Sequence, residues 1–418
     1  MSLLLRQVVL DGATVDILIE NGLISRIAPT LNDVVADKEI AGGGKAVVPG
    51  LYNGHTHAAM TLFRGYADDM ELQSWLTTKI WPLEEKLTEE LVYHGARLAC
   101  LEMIKSGTVF FNDMYWHFHG TARAVEEMGL RAALSAVIID LDDPLRLKEQ
   151  IAANRELFQA SRDYSDRIQF VLGPHAIYTV SRAGLEWVRD FAAEHDLLIH
   201  LHLSETEQEV RDCLSMHGLR PVEYLADIGL LSEKLVATHV VWLDRDEVVE
   251  LEKNRVKVIH NPISNMKLAV GKSFDSRHFI KNGVLVGLGT DGCASNNNLD
   301  MFETMKFSAL LQKFAINDPT VQPASEAWRM ATVAGAKIFA LEGGVVAPGR
   351  PADLLLIDTE RPEMAPGHNL ISDLVYSASG AVVDTTIVAG KVLMHKRKVV
   401  GEEEIIAEAK AAARRLLQ

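Results

Sequence analysis

Between about residues 48 and 291 the chain repeats one pattern eight times: a short β-rich apolar run, then in most cases a longer helical stretch. The runs are Val47–Leu51, Val109–Phe111, Ala132–Ile139, Ile168–Leu172, Leu197–Leu203, Leu235–Val241, Val256–Ile259 and Val284–Leu288. Helical patterns such as Glu84–Lys105, Leu145–Ser161, Arg182–Glu194 and Arg245–Asn254 lie between them. Parallel strands need long crossovers, and eight βα units in series are what a closed parallel barrel requires. The rival is an open doubly wound sheet, but no glycine-rich phosphate loop follows any run. The expected fold class is therefore α/β, a (β/α)8 TIM-like barrel.

The segments outside the barrel read as strands. Val15–Ile27 alternates around Glu20-Asn21-Gly22, a tight hairpin signal. Ala352–Asp358 is another strand candidate, and Asp384–Leu393 is a strand pair turning at Ala389-Gly390. Both chain ends are thus expected to build one small β-sandwich domain, from residues 1–47 and 350–418, beside a catalytic barrel of residues 48–349.

Composition excludes several classes of function. The net charge is −15 and there is no Lys/Arg-rich block, which argues against a nucleic-acid polymer as partner. No apolar stretch is long enough to cross a bilayer, so no membrane partner is expected. The three cysteines, Cys100, Cys213 and Cys293, are widely spaced and form no Cys-x-x-Cys pair. That pattern fits a reducing compartment, and the expected location is cytoplasmic.

In βα barrels the chemistry sits where the strands end, because the βα loops converge there. The residues at these ends form a coherent set: His55 and His57, Asn112-Asp113, His175, His202, His239, Asn261 and Asp291. His55 and His57, two apart on one strand, project to the same side. Three imidazoles and a carboxylate, His55, His57, His202 and Asp291, complete one tetrahedral zinc site. His200 shares a face with His202 but lies roughly 6–7 Å back along the strand, and reads as a satisfied interior histidine. Ile168–Pro174 contains no lysine to bridge two metals, so one metal per subunit is expected, zinc first and iron as the alternative. Glu205, three residues past His202, is placed to move protons between water and substrate. Glu207 and Glu209 read as first-turn residues of the next helix, complementing its dipole. Neutral His239 is expected to hold the activated water without bonding the metal.

The set His55-Thr-His57, His202-Leu-Ser-Glu205-Thr-Glu, His239 and Gly289-Thr-Asp291-Gly resembles the amidohydrolase superfamily, as do the tail patterns Ala347–Leu354 and Thr385–Lys391. Within it the chain is similar to the 5-methylthioadenosine/S-adenosylhomocysteine deaminases. Ser74-Trp75-Leu76, Trp81–Glu84, Gly173-Pro174-His175, Asn261–Lys267 and Ser295–Asp300 carry that finer likeness. The resemblance implies a zinc-dependent hydrolytic deaminase of adenine nucleosides, acting on 5'-methylthioadenosine, S-adenosylhomocysteine or adenosine. The products are the inosine derivative and ammonia.

It also implies roles for single residues. Glu205 would take a proton from water and pass it to ring N1, Asp291 would carry the second to the departing amine, and His239 would steady the tetrahedral oxygen. Glu84 would bind the ribose hydroxyls, His175 the nucleoside, and Ser295 would line the loop after strand eight. Without the family, Glu84 reads first as part of a solvated face beside Glu85. Trp75 and Trp81 are either an apolar wall for a methylthio group or ordinary helix packing. Arg146 is the one candidate for a substrate carboxylate, since Leu134–Asp140 has no arginine. Methylthioadenosine therefore ranks above S-adenosylhomocysteine. The rival activities are deamination of a free base or triazine and, in another class, a non-catalytic barrel scaffold. The family further implies a homodimer or higher oligomer.

Overall fold

The computed structural model describes residues 2–418. Eight parallel strands form the barrel: Leu51–Thr56, Thr108–Tyr115, Arg131–Ile138, Ile168–Phe170 continued by Gly173–Pro174, Ile199–Leu203, Leu235–His239, Lys257–His260 and Val286–Leu288. We refer to them as strands one to eight. Strands one to four and strands five to eight each pair in sequence order. Bridges from Leu172 to Ile199 and from Ala176 to His202 join the two halves. The remaining seam is drawn shut where the Asp291 N–H donates to the His55 carbonyl at 3.0 Å.

Helices cover the barrel, among them Glu89–Lys105, Phe118–Met128, Pro144–Ala160, Arg182–His195, Glu207–His217, Arg245–Lys253 and Met301–Ile316. Their starts are written locally. Thr88, Asp143, Ser181, Thr206, Asp244 and Asp300 each accept a first-turn N–H with the side chain, satisfying donors that have no partner inside the helix. Among the described residues no helix is long and apolar enough to cross a membrane.

The two chain ends share a nine-stranded mixed sheet. Its order runs Lys398–Val399, Lys391–His395, Val383–Val388, Leu354–Asp358, Lys45–Pro49, Ser2–Leu10, Ala13–Glu20, Leu23–Ala28, with Lys38–Ala41 also on Ser2–Leu10. Ser2–Leu10 changes partner along its length: Leu3–Arg6 pair with Lys38–Ala41, and Val9 pairs with Ala46. One apolar cluster draws Leu5, Ile17 and Ile40 from the N-terminal strands together with Leu354, Leu356 and Ile387 from the C-terminal ones. The alternate residues Leu355 and Ile357 belong instead to the barrel core, as a period of two requires. The hairpin at Asn21-Gly22 has both residues at positive φ, 51° and 79°, the conformation for which this dipeptide is favoured.

Two expected elements are corrected. The run Val47–Leu51 is not barrel strand one: Lys45–Pro49 pairs with Leu354–Asp358 in the end sheet, and the barrel strand starts at Leu51. An apolar run marks any strand buried on both faces, whereas the true strand one carries Asn53, His55 and Thr56 because it ends in the site. The stretch Glu84–Lys105 is likewise two elements, with Glu84 ending the short helix Trp81–Glu84 and the long helix starting at Glu89. Residues 58–84 thereby form an excursion after strand one that folds over the barrel mouth. The seam between strands one, seven and eight leaves no room at Gly54, where a Cβ would lie 2.3 Å from Ile259 Cδ1 and 3.1 Å from the Leu288 carbonyl oxygen. Gly54→Val is expected to destabilise the fold by about 1–3 kcal/mol through overpacking, read as a lower denaturant midpoint at unchanged slope.

Candidate active site

One pocket at the C-terminal mouth of the barrel is lined by His57, Glu84, His175, His202, Glu205, His239, Asp291 and Ser295. His55 lies fully buried beside them. Arg146 is not in this pocket; with Trp81, Glu84, Leu87, Trp116 and Ile139 it lines an adjoining cavity of about 570 Å³.

The histidines are oriented by hydrogen bonds that also select their tautomers. His57 donates from Nδ1 to the Met114 carbonyl at 2.7 Å, and His202 donates from Nδ1 to the His175 carbonyl at 2.7 Å. A carbonyl can only accept, so each ring carries a proton on Nδ1, and Nε2 is the nitrogen left free in the neutral tautomer. His55 Nδ1 is 2.8 Å from His200 Nε2, while His55 Nε2 is buried without a hydrogen-bond partner. Asp291 Oδ1 faces His55 Nε2 and His57 Nε2 at 3.3 Å each. Donor atoms of His55, His57 and Asp291 lie within 4.8 Å of one another, as do those of His55, His202 and His239. Burial pushes His55 down to about 4 and His202 well below its usual range, so both are neutral at pH 7. A buried orphan nitrogen, neutral imidazoles and one carboxylate fit a divalent transition metal.

Left-handed backbone aims the side chains at the ends of strands five, six and eight. Ser204 has φ 50°, His239 72°, Val240 43° and Asp291 64°. Such conformations cost on the order of 1–3 kcal/mol each outside glycine and persist where surrounding bonds enforce them. At Ser204 the enforcement is visible. Glu209, almost fully buried, turns its carboxylate back so that Oε1 accepts the Ser204 N–H and Oε2 the Glu205 N–H, both at 2.8 Å. On the other side the Val241 and Trp242 N–H groups donate to the Ser204 carbonyl. Glu205 is thereby held into the pocket, 3.8 Å from His239 Nδ1. Burial raises its carboxyl above the ordinary range, and burial raises Glu209 to about 7.

Three residues have a larger part than the sequence reading allowed. His200 is hydrogen bonded to His55 rather than merely interior. Glu209 is a brace for Glu205 as well as a first-turn acid, and Thr206-x-x-Glu209 is the pattern that signals a glutamate reaching back past its helix start. Trp116, for which the sequence carries no signal, donates its indole N–H to Glu84 Oε2 at 3.2 Å. Glu207, by contrast, pairs with Arg211 on the helix surface, as a first-turn acid does.

Residues 46–393 match the model of the amidohydrolase family. The chain belongs to that family. It is 52% identical over 380 residues to a 5'-deoxyadenosine deaminase of Methanoregula boonei, covering 91% of this chain and 86% of the relative. It is 49% identical over 390 residues to 5-methylthioadenosine/S-adenosylhomocysteine deaminase 1 of Archaeoglobus fulgidus, covering 92% and 91%. Among solved structures, a zinc-bound adenosine deaminase from Xanthomonas campestris superposes with a TM-score of 0.93 at 34% identity, over 99% of this chain and 98% of that one.

In this amidohydrolase His200 holds the His55 ring from the side away from the pocket. Removing the partner that orients a ligand histidine costs about 10–100-fold in metal affinity. His200→Leu is expected to show that loss in a chelator competition followed by metal analysis, with its thermal midpoint in the apo state little changed.

Proposed function

We propose that this amidohydrolase is a zinc-dependent deaminase of adenine nucleosides that favours an apolar 5' group, as in 5'-methylthioadenosine and 5'-deoxyadenosine. The observation that carries the reading is Glu84. It is half-buried in the wall of the pocket that the histidines line, its carboxylate held by Trp116 and raised by burial, a surrounding suited to neutral hydroxyl donors of a ribose. Around it the excursion after strand one presents Leu72, Trp75, Leu76, Ile80 and Trp81, an apolar wall without a hydrogen-bonding demand on the 5' substituent. The relatives at 52% and 49% identity are named for nucleosides of this kind. Among the described residues lining the outer cavity, Arg146 is the one lysine or arginine on offer to an amino-acid carboxylate, which ranks S-adenosylhomocysteine lower.

In this reading His55, His57, His202 and Asp291 hold the metal. When bound, zinc makes water a competent nucleophile near neutral pH. Glu205 accepts one proton from the water that attacks C6 and returns it to ring N1. Asp291 takes the remaining proton and hands it to the departing amine as the C6–N bond breaks, so ammonia and a 6-oxo ring result. His239 bonds the new oxygen, His175 contacts the nucleoside with its Nδ1 already occupied by Thr179 Oγ1 at 2.9 Å, and Ser295 lines the same pocket.

The test is ammonia release by zinc-loaded protein on 5'-methylthioadenosine, 5'-deoxyadenosine, S-adenosylhomocysteine, adenosine, guanine and a triazine. Release from the first two is expected to be fastest, and none from any adenine nucleoside would overturn the reading. Glu84→Gln in the same assay should lower kcat/KM on the nucleosides about 10–100-fold, the worth of hydrogen bonds to a charged group.

A pH profile gives a second check. Glu205 works first as a base and so must be ionised in the free enzyme. Because burial raises its folded value above 4.5, kcat/KM should fall with decreasing pH at a limb above 4.5 rather than at it. The measurement is kcat/KM against pH at fixed metal occupancy.

A further inference from the structure

His260 of strand seven does not line the pocket, yet the motif Asn261-Pro-Ile-Ser-Asn-Met-Lys267 follows that strand directly. We propose that this helical turn, Pro262–Lys267, is the positioning element of the active site: Ser264 holds Asp291 on one side and Asn265 holds His239 on the other.

Ser264 is completely buried, and its Oγ donates to Asp291 Oδ2 at 2.6 Å. The other carboxylate oxygen, Oδ1, accepts the Gly292 N–H at 2.7 Å and faces the Nε2 atoms of His55 and His57. With one oxygen tied outward and the other inward, the carboxylate has no rotational freedom. Asn265 Oδ1 accepts from His239 Nδ1 at 2.8 Å, leaving Nε2 as the free nitrogen of that ring. The Asn261 amide nitrogen lies farther from the same Nδ1, at 3.4 Å. The arrangement has a cost, since the Asn265 side-chain amide nitrogen is buried with no partner among the described residues. A group left unsatisfied inside a packed site invites a functional explanation.

Helix geometry explains why one turn serves two neighbours. Consecutive helical residues diverge by about 100°, so Ser264 and Asn265 face different directions. Strand seven lies between strands six and eight, which carry His239 and Asp291. The turn is anchored in place. Pro262 occupies the first helical position with its φ fixed, and the Asn265 N–H donates to the Asn261 carbonyl at 3.0 Å. Lys267 then caps the arrangement by donating to the Ala294 carbonyl at 3.3 Å and pairing with Asp68 of the excursion over the mouth.

Two pairs of variants test the proposal, each pair comparing loss of the hydrogen bond with its retention. S264A removes the hydroxyl and S264T keeps it; N265L removes the acceptor and N265D keeps it. With zinc-loaded protein and 5'-methylthioadenosine, S264A and N265L are expected to lose about 10–100-fold in kcat. KM should stay within about twofold, the pattern of lost transition-state geometry rather than lost binding. S264T and N265D should each recover most of that loss. In parallel, the visible absorption bands of the cobalt(II)-loaded protein should shift in S264A, where a carboxylate next to the metal is freed, and match the parent in S264T. Parental kcat and bands in S264A, or equal losses within both pairs, would overturn the proposal. Only the kinetic arm rests on the nucleoside reading. A parent that deaminates no nucleoside would sink that reading, while the cobalt spectra would still decide the role of Ser264.

Discussion

Closure of the barrel between strands eight and one is the constraint from which the rest follows. The hydrogen bond from the Asp291 N–H to the His55 carbonyl joins the last strand's end to the first. It does more than complete a sheet edge. It puts the Asp291 carboxylate beside the imidazoles of His55 and His57, residues far apart in the chain. Thr290 ties the same seam, with its N–H donating to Asn53 Oδ1 at 3.0 Å and its hydroxyl accepting from Asn53 Nδ2 at 2.7 Å. A barrel left open at this seam would neither bring this carboxylate to the two imidazoles nor fix its rotation.

Around the seam, polar groups are buried at a density that only function or full pairing sustains. Burial keeps His55 and His202 neutral, and the outer nitrogens of His55, His57 and His202 are bound to carbonyls or to another ring, so their other ring nitrogens are left to converge. The chain reaches this convergence through backbone that nonglycine residues avoid: Ser204, His239, Val240 and Asp291 all stand at positive φ. Each strained strand end is clamped by groups from elsewhere. The Glu209 carboxylate secures strand five, and the turn after strand seven secures strands six and eight. The site thus depends on side chains that never meet a substrate.

How much of this was legible in the sequence varied with the kind of interaction. The eight-unit pattern and the strand-end residues His55, His57, His202, Glu205, His239 and Asp291 could be read because a closed barrel makes strand ends neighbours by necessity. Strand one was misplaced because an apolar run cannot say which of two sheets buries it, and the real strand is polar where it enters the site. Glu84 was placed on a long helix because helical periodicity continues through the break at residues 85–88. Glu209 looked like a dipole-complementing acid because Thr206-x-x-Glu209 specifies a helix start but not how far the carboxylate reaches back.

What the sequence by itself determined is the fold class, the hairpins at Asn21-Gly22 and Ala389-Gly390, and which polar residues stand at the strand ends. These depend on local periodicity, turn chemistry and residue type. Only the tertiary structure decided which histidine bonds which, that His200 supports His55, and that Trp116 carries Glu84. It also decided that Arg146 lies in an outer cavity and that Ser264 and Asn265 reach opposite neighbours. Those pairings are between residues from different strands and loops. Their distances are set by barrel closure and by the rotation of each helical turn, quantities that no local stretch of sequence encodes.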